Sequence, residues 1–226
     1  MNADGYIGAN GGIQGYNMFA YCNNNPVMGY DPSGEHFEEM LSNSGVKKFV
    51  AELKKRIKKH LNALKRVQEK KRFEKMVTSD VAIALIADYE TFNSSLQADN
   101  TIGYGHLVQP GEPYDSKSSI TVDQAMELLK KDVANSERLT KQYANERNWV
   151  LTQQQFDAFV VYGYNVGPAY IQDVMDLYLM HGDIYFAFNY RLQYQKPKYK
   201  TGLFRRWHDS ADIFSRGDYI RDYPNL

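Results

Sequence analysis

The chain has 226 residues, of which 43% are hydrophobic and 24% charged, which is enough for one well-packed domain with additional elements. It has no apolar run of about 18 residues, so the sequence predicts no transmembrane helix. Its one cysteine, Cys22, excludes an intramolecular disulfide and a cysteine-based zinc site. No basic segment followed by an apolar one stands at the N-terminus, so we expect no secretory signal.

The formal net charge is zero, but the charges are unevenly distributed along the chain. Residues 1–46 contain five acids and no Lys or Arg, and residues 47–76 contain thirteen basic residues against three acids. Residues 77–226 are net acidic, with fourteen basic residues against nineteen acids. The charge pattern therefore predicts three parts. The composition of the first part places its boundary after residue 35, so the predicted parts are residues 1–35, 36–76 and 77–226.

Residues 1–35 are rich in Gly, Asn and Tyr, and their turn signals leave only one short strand-like stretch, at 18–21. This segment resembles the end of an RHS-repeat core, in which Asn-Asn-Pro-Val (24–27 here) precedes Asp-Pro-x-Gly (31–34 here). The resemblance implies a longer parent protein whose RHS cage encloses a C-terminal toxin. It also makes Asp31 a candidate self-cleavage residue, although the first motif reads Asp4-Gly5 instead of the usual Asp-Pro. A disordered leader is the alternative.

Residues 46–76 have the pattern of one long amphipathic helix with Lys and Arg between the apolar positions. The apolar positions are Val46, Phe49, Val50, Leu53, Ile57, Leu61, Leu64 and Val67. Such a helix could bind an anionic lipid, a cell-wall polymer or an acidic partner, or it could be a connector whose apolar stripe packs on the following domain. We favour the connector. Binding of nucleic acid is not expected, because the domain that follows is acidic.

Residues 77–226 are predicted to be mostly helical, with one β-hairpin. A buried helix over 81–87 ends near Glu90, and strand signals are confined to 94–108. Thr121 and Gln124 form a predicted capping box, and Asn165 to Pro168 break the chain between two helices. The expected helices are 122–145, 153–164, 169–180, 183–195 and 203–216, with Gly182 and Gly202 at boundaries. The predicted fold class is α+β, mostly α, with a small β-hairpin lobe beside a larger helical lobe.

Glu90 and the segment Thr101-Ile102-Gly103-Tyr104-Gly105-His106 carry the main functional signal. The glycines describe a tight turn at which backbone can approach a ligand closely. A carboxylate at a helix C-terminus is disfavoured by the helix dipole, which suggests a functional role for Glu90. A carboxyl group facing a small β-lobe is the arrangement that glycoside hydrolysis requires of its general acid.

Five motifs occur in the order found in phage-type lysozymes, the endolysins of glycoside hydrolase family 24, which the sequence resembles over about residues 80–222. They are Glu90, Thr101–His106, Thr152–Val160, Tyr164–Gly167 and Gly202–Arg206. The resemblance implies a lysozyme-like fold with Glu90 as general acid. The resemblance also implies that Asp99 activates the attacking water or stabilises the transition state, and that Thr101 positions that water. Only Asn100 separates Asp99 from Thr101, so the hairpin is shorter than usual and another carboxylate could replace Asp99.

Other residues of these motifs have expected roles in binding and structure. His106 is expected to pair with Asp132, which would raise the pKa of the histidine and lower that of the aspartate. The expected substrate-binding residues are Gly103, Tyr104, Leu107, Tyr162, Asn165 and Gly167. The two arginines, Arg205 and Arg206, are expected to satisfy helix ends or buried acids, with a contact to a substrate carboxylate as the alternative.

The resemblance thus implies a muramidase that cleaves the β-1,4 bond between N-acetylmuramic acid and N-acetylglucosamine in peptidoglycan, with inversion. It would act as the toxin tip of an RHS protein on the wall of a target bacterium, delivered by a secretion system or secreted. We expect no cofactor and no metal, and we expect a cognate immunity protein as a partner. A catalytically inactive wall-binding module and a hydrolase of chitin-like polymers are the alternatives.

Overall fold

The computed structural model describes residues 44–221, which divide into two units at the boundary between Gln68 and Glu69. The RHS-like segment with Asp31 and the strand-like stretch at 18–21 lie outside the described residues. The helices are α1 (Ser44–Glu74), α2 (Asp80–Tyr89), α3 (Val122–Glu146), α4 (Gln153–Val166), α5 (Ile171–His181), α6 (Ile184–Asn189) and α7 (Pro197–Arg216). Short 3-10 helices cover Pro168–Tyr170 and Tyr190–Tyr194, and the strands are β1 (Thr101–Ile102) and β2 (His106–Leu107).

The described part of the chain is a mostly helical α+β fold with a small antiparallel sheet, as the sequence predicts. Among residues 44–221, none of the helices has the combination of length and apolar character that crossing a bilayer requires.

The predicted helix boundaries are confirmed where capping residues define them. Thr121 accepts a hydrogen bond from the backbone N–H of Gln124, whose side chain bonds back to Thr121, so α3 begins with the expected capping box. Thr152 and Gln155 form a second capping box at the start of α4. α4 runs two residues beyond the predicted end at 164 and stops within the predicted break, at Val166, because Gly167 has a φ of 100°.

Two predicted helices differ from the observed ones. The expected helix over 183–195 is α6 alone, followed by the 3-10 turn Tyr190–Tyr194. Gly202 is not a boundary, because α7 begins at Pro197 and passes through Gly202. Proline at a first helical position needs no N–H partner, and a glycine inside a helix costs only about 1 kcal/mol, which the packing of α7 outweighs.

The β-hairpin is smaller than the strand signals over 94–108 suggest. Thr101 pairs with Leu107 and Ile102 with His106, and isolated bridges join Asn93 to Gly103 and Ser95 to Ser119. Turns, bends and irregular backbone occupy the rest of this segment, with turns at 98–99 and 104–105 and a φ of 66° at Asn100. Over most of the predicted strand region, the preference of these residues for turns therefore outweighs their β propensity.

The core of the second unit is built around α4, which packs against α3 and α7. Its largest fully buried side chains include Trp207, Tyr162, Phe156, Phe159 and Phe188. Phe73 and Met76, which lie in the predicted linker helix, are buried in this core. A smaller cluster of Ile102, Ile120, Ala125 and Leu128 holds the β-hairpin against α3. The two clusters together fix the hairpin relative to the end of α2.

Candidate active site

Glu90 is the residue that ends α2, and α2 itself is anchored at its start. Ser79 caps the helix by accepting a hydrogen bond from the N–H of Ala82. The fully buried Asp157 on α4 accepts bonds from the Ser79 N–H at 3.0 Å and the Ser79 hydroxyl at 2.6 Å. Because α2 is a rigid ten-residue rod tied to the core at Ser79, the position of Glu90 at its other end is defined.

The Glu90 carboxylate forms an ion pair with Arg206 of α7, through Oε1 and Nη2. Both side chains are about three-quarters buried, with side-chain exposures of 26% and 20%. The Arg206 guanidinium also lies 4.5 Å from the centre of the Tyr89 ring. Arg206 therefore satisfies an acid at a helix end, which is the expected structural role. Its specific partner, Glu90, could not be predicted from the sequence because 116 residues separate the two.

A cleft of about 460 Å³ opens beside Glu90. Its lining consists of Glu90, Gly105, His106, Leu107, Gln109, Asp132, Tyr164, Asn165 and Arg206. Gly105 lies against the acid, since a Cβ placed there would be 3.6 Å from Glu90 Oε2. Tyr164 donates a hydrogen bond of 2.9 Å to the carbonyl of Tyr104, and burial raises its pKa, so its hydroxyl remains a neutral donor. The ion pair with Arg206 thus leaves Glu90 facing an open cleft.

Asp99 and Thr101 form a hydrogen-bonded pair at the edge of the hairpin. The Thr101 hydroxyl donates to Asp99 Oδ1 at 2.6 Å, and the Thr101 N–H donates to the same oxygen at 3.2 Å. The side-chain bond and then the backbone bond hold the pKa of Asp99 below its usual value. Thr101 pairs with Leu107 in the hairpin, and Leu107 lines the cleft. Within residues 44–221, the side chains that line this cleft do not include Asp99 or Thr101.

His106 forms the predicted contact with Asp132, with Nδ1 and Oδ1 2.9 Å apart. Its other ring nitrogen, Nε2, lies 2.9 Å from Glu112 Oε2, a second partner that the sequence analysis did not predict. Burial lowers the pKa of His106, but the hydrogen bonds to Glu112 and Asp132 raise it by more, so the net shift is upward as expected. The expected lowering for Asp132 is wrong, because its burial raises the pKa by more than the histidine lowers it.

A comparison with protein-family models matches residues 87–209 to the family described as phage lysozyme. The match covers more than half of the chain and includes Glu90, the hairpin and Arg206. The chain belongs to the phage lysozyme family. A comparison with curated proteins found no match.

Solved lysozyme structures have the same fold as this lysozyme domain. An endolysin from the Escherichia coli O157:H7 phage FAHEc1 is 25% identical with a TM-score of 0.52, and the match covers 65% of this chain and 98% of that one. A mutant of P22 lysozyme is 24% identical with a TM-score of 0.51, with 62% and 98% of the two chains covered. Nearly the whole length of each relative is therefore represented here.

The residues expected to bind substrate in the lysozyme domain fall into two groups. Leu107 and Asn165 line the cleft, and the Asn165 side-chain oxygen accepts a bond of 2.8 Å from the Trp207 indole N–H. Tyr162 is fully buried, so its ring offers no face on which a sugar could stack. Gly103 is also buried, against Ala125 and Ile120 of the hairpin cluster.

The remaining two expected binding residues of the lysozyme domain have structural contacts. Tyr104 packs against Phe92, with ring centres 5.6 Å apart, and its backbone carbonyl accepts a hydrogen bond from the Tyr164 hydroxyl. Gly167 ends α4 beside Tyr170. Within residues 44–221, no group of three or more His, Cys, Asp or Glu side chains could hold a metal ion.

Glu112 and Gln109 are the cleft-side residues that sequence reasoning missed. The backbone N–H of Gln109 donates to Glu112 Oε2 at 2.8 Å, and this bond, followed by the contact with His106, lowers the pKa of Glu112. The loop over 109–114 is thereby tied to the hairpin by the same carboxylate that contacts His106. The available signal was a glutamate in a short turn-rich loop six residues after a histidine expected to be paired.

Proposed function

We propose that the lysozyme domain is a muramidase that hydrolyses the β-1,4 bond between N-acetylmuramic acid and N-acetylglucosamine in peptidoglycan. The observation that carries this proposal is the placement of Glu90, a carboxyl group held at the end of α2 and facing an open cleft. Membership of the phage lysozyme family supports the same substrate class. The cleft also offers an amide at Asn165 and a phenol at Tyr164, which suit hydroxyl and N-acetyl groups.

In the proposed reaction Glu90 takes up a proton from solvent and gives it to the glycosidic oxygen as the bond to the leaving sugar breaks. Arg206 would then stabilise the resulting carboxylate through the contact it already makes. A water molecule attacks the anomeric carbon from the opposite face, and the product has the inverted configuration. Inversion requires the two carboxyl groups to lie about 6.5–9.5 Å apart, with room for that water between them.

The second carboxyl group in this proposal is Asp99, with Thr101 as the residue that positions the water. Because the Thr101 hydroxyl donates its hydrogen to Asp99 Oδ1, the lone pairs of that hydroxyl are left to accept from water. The lowered pKa of Asp99 keeps it ionised, as a base must be. Only Asn100 lies between the two residues, and this shortened hairpin is the reason that another carboxylate is the alternative to Asp99.

The experiment that tests this function is digestion of purified peptidoglycan, followed by reduction of the new chain ends and mass spectrometry. A muramidase leaves N-acetylmuramic acid at the reduced end, whereas a glucosaminidase leaves N-acetylglucosamine there. Chitin is the comparison substrate, and its faster hydrolysis would favour the chitin-like alternative. Sedimentation with peptidoglycan but no released reducing ends would identify an inactive binding module and overturn the proposal.

We further propose that this muramidase is the toxin tip of a longer RHS protein that acts on the wall of a target bacterium. The support is the resemblance of residues 24–34 to the end of an RHS core. An immunity protein would be expected to cover the cleft beside Glu90. Lysis of cells that produce the domain in the periplasm, but not of cells that produce it in the cytoplasm, is the expected result. Equal survival in both compartments would contradict the toxin role.

A further inference from the structure

The N-terminal part of α1, up to Gln68, has two contrasting surfaces that the proposed hydrolysis does not use. Nine Lys or Arg residues and one acid, Glu52, lie between residues 44 and 68. Its large apolar side chains are half exposed, at fractions from 48% for Leu64 to 58% for Ile57. The others in this range are Phe49, Leu61 and Val67. Five such side chains on one helix is an unusual amount of apolar surface to leave in water.

These apolar residues form a single stripe along the helix. At 100° per residue, the positions of Phe49, Ile57, Leu61, Leu64 and Val67 fall within a sector of about 120°. Val50 and Leu53, which are partly exposed, fall in the same sector. Lysines occupy much of the opposite side, with Lys54, Lys58 and Lys65 along one border of the stripe and Arg56 near the other.

Because the stripe is half exposed, we propose, in place of the connector favoured from the sequence, that this part of α1 lies in the surface of an anionic phospholipid bilayer. A helix with an apolar stripe and a Lys-rich polar face buries the stripe at the boundary between headgroups and acyl chains, while its cations face the lipid phosphates. Charge complementarity identifies the lipid, because the segment has a net charge of +8 that a negatively charged surface attracts. The helix lies on the bilayer and does not span it, since its lysines occur throughout its length.

Two other occupants fit the surface less well. A soluble polyanion would pair with the lysines but would leave the apolar stripe in water. A second copy of the helix would cover the stripe, but it would bring another highly basic surface close to this one. Like charges at that distance repel, and few acids are present to offset them, since Glu52 already lies 3.5 Å from Arg56.

The test is flotation of the full chain with vesicles of phosphatidylcholine alone or of phosphatidylcholine and phosphatidylglycerol in equal amounts. The chain should float with the anionic vesicles at low salt, bind the neutral ones at least tenfold less, and lose binding as salt is added. Ile57→Ser/Leu61→Ser/Leu64→Ser should weaken binding by about tenfold or more, because it removes the buried stripe. Lys54→Gln/Lys58→Gln/Lys65→Gln should weaken it by on the order of 100-fold, at about 1 kcal/mol for each cation.

The matched control is Leu179→Ser/Met180→Ser on α5, which removes apolar side chains with exposures of 55% and 74% elsewhere on the surface. It should bind like the wild type, and circular dichroism should show that all variants keep their helices. Equal binding to both kinds of vesicle, or no binding to either, would overturn the proposal. Full binding by the triple serine variant would also overturn it, as would a dimer that the serine substitutions dissociate. None of these outcomes depends on whether the domain hydrolyses peptidoglycan.

Discussion

The hydroxyl of Thr101 donates a hydrogen bond of 2.6 Å to Oδ1 of Asp99. This bond lowers the pKa of Asp99, whereas Glu90 has an arginine partner and lies at the end of a helix. The two carboxyl groups therefore have different partners, a hydroxyl for Asp99 and a guanidinium for Glu90.

Replacing either member of the Asp99–Thr101 pair should reduce hydrolysis. Asp99→Asn should lower kcat by about 10² to 10⁴, because the amide cannot accept a proton from the attacking water. Thr101→Val, which keeps the shape but removes the hydroxyl, should lower kcat by about tenfold or more, and Thr101→Ser should retain most of it. Initial rates of reducing-end release measure both. Unchanged activity of Asp99→Asn would show that another carboxylate activates the water.

Gly105→Ala should reduce activity more than it reduces stability. Gly105 has a φ of 82°, which an L side chain adopts with a strain of about 1 kcal/mol, and a Cβ there lies against Glu90 Oε2 and the Tyr164 hydroxyl. Gly111→Ala is the control, because its φ of 95° imposes a similar strain while no atom lies within 4 Å. Both variants should lose about 1 kcal/mol in urea unfolding, but only Gly105→Ala should lose activity. Equal activity of the two would show that substrate does not approach this face.

The contacts of His106 should make stability depend on pH. Its folded pKa is raised above the unfolded value of about 6.5, so the protonated ring contributes stability that is present below that value and lost as pH rises through the folded pKa. The melting temperature should therefore fall more on His106→Gln at pH about 6 than at pH about 9. His181→Gln, at the C-terminal end of α5, is the control. A larger difference at the higher pH would contradict this account.

Asp157→Ala should be among the most destabilising substitutions in the domain. The fully buried carboxylate accepts hydrogen bonds from Ser79, from Gln153 at 2.9 Å and from the Tyr219 hydroxyl at 2.8 Å. Its removal takes the acceptor away from Ser79 and Tyr219 and should cost about 3 kcal/mol or more in the free energy of unfolding by urea. Asp123→Ala, an exposed acid in the first turn of α3, should cost at most about 1 kcal/mol. Similar costs for the two would argue against the anchoring of α2 through Asp157.

The parts of the fold that local chemistry determines were predictable from the sequence. The capping box of Thr121 and the break over 165–168 after α4 depend on residues three or four positions apart, so their signals are complete in a short window. The start of α7 was not predicted, because a glycine at 202 is a boundary signal that tertiary packing overrides. The same competition reduced the strand signal over 94–108 to two short strands.

The candidate site was predictable only in part. Glu90, Leu107 and the His106–Asp132 contact were expected, and the structure places all four residues in the lining of one cleft. The pairing of Glu90 with Arg206 depends on how α2 meets α7, which no local pattern encodes. Tyr162 is a residue type whose ring can stack on a sugar, yet its position on the buried face of α4 makes it a core residue. Burial, which the sequence does not specify for a single tyrosine, decides between the two roles.

The central claim is that Glu90 is the general acid, and the most direct measurement is release of reducing ends from peptidoglycan by Glu90→Gln. Glutamine keeps the shape of the side chain and removes the transferable proton. The control is Glu127→Gln, an acid with a side-chain exposure of 69% on α3. We expect a loss of about 10² or more in kcat for Glu90→Gln, with peptidoglycan still bound, and wild-type activity for the control. Equal activity of Glu90→Gln and the wild type would contradict the proposed mechanism.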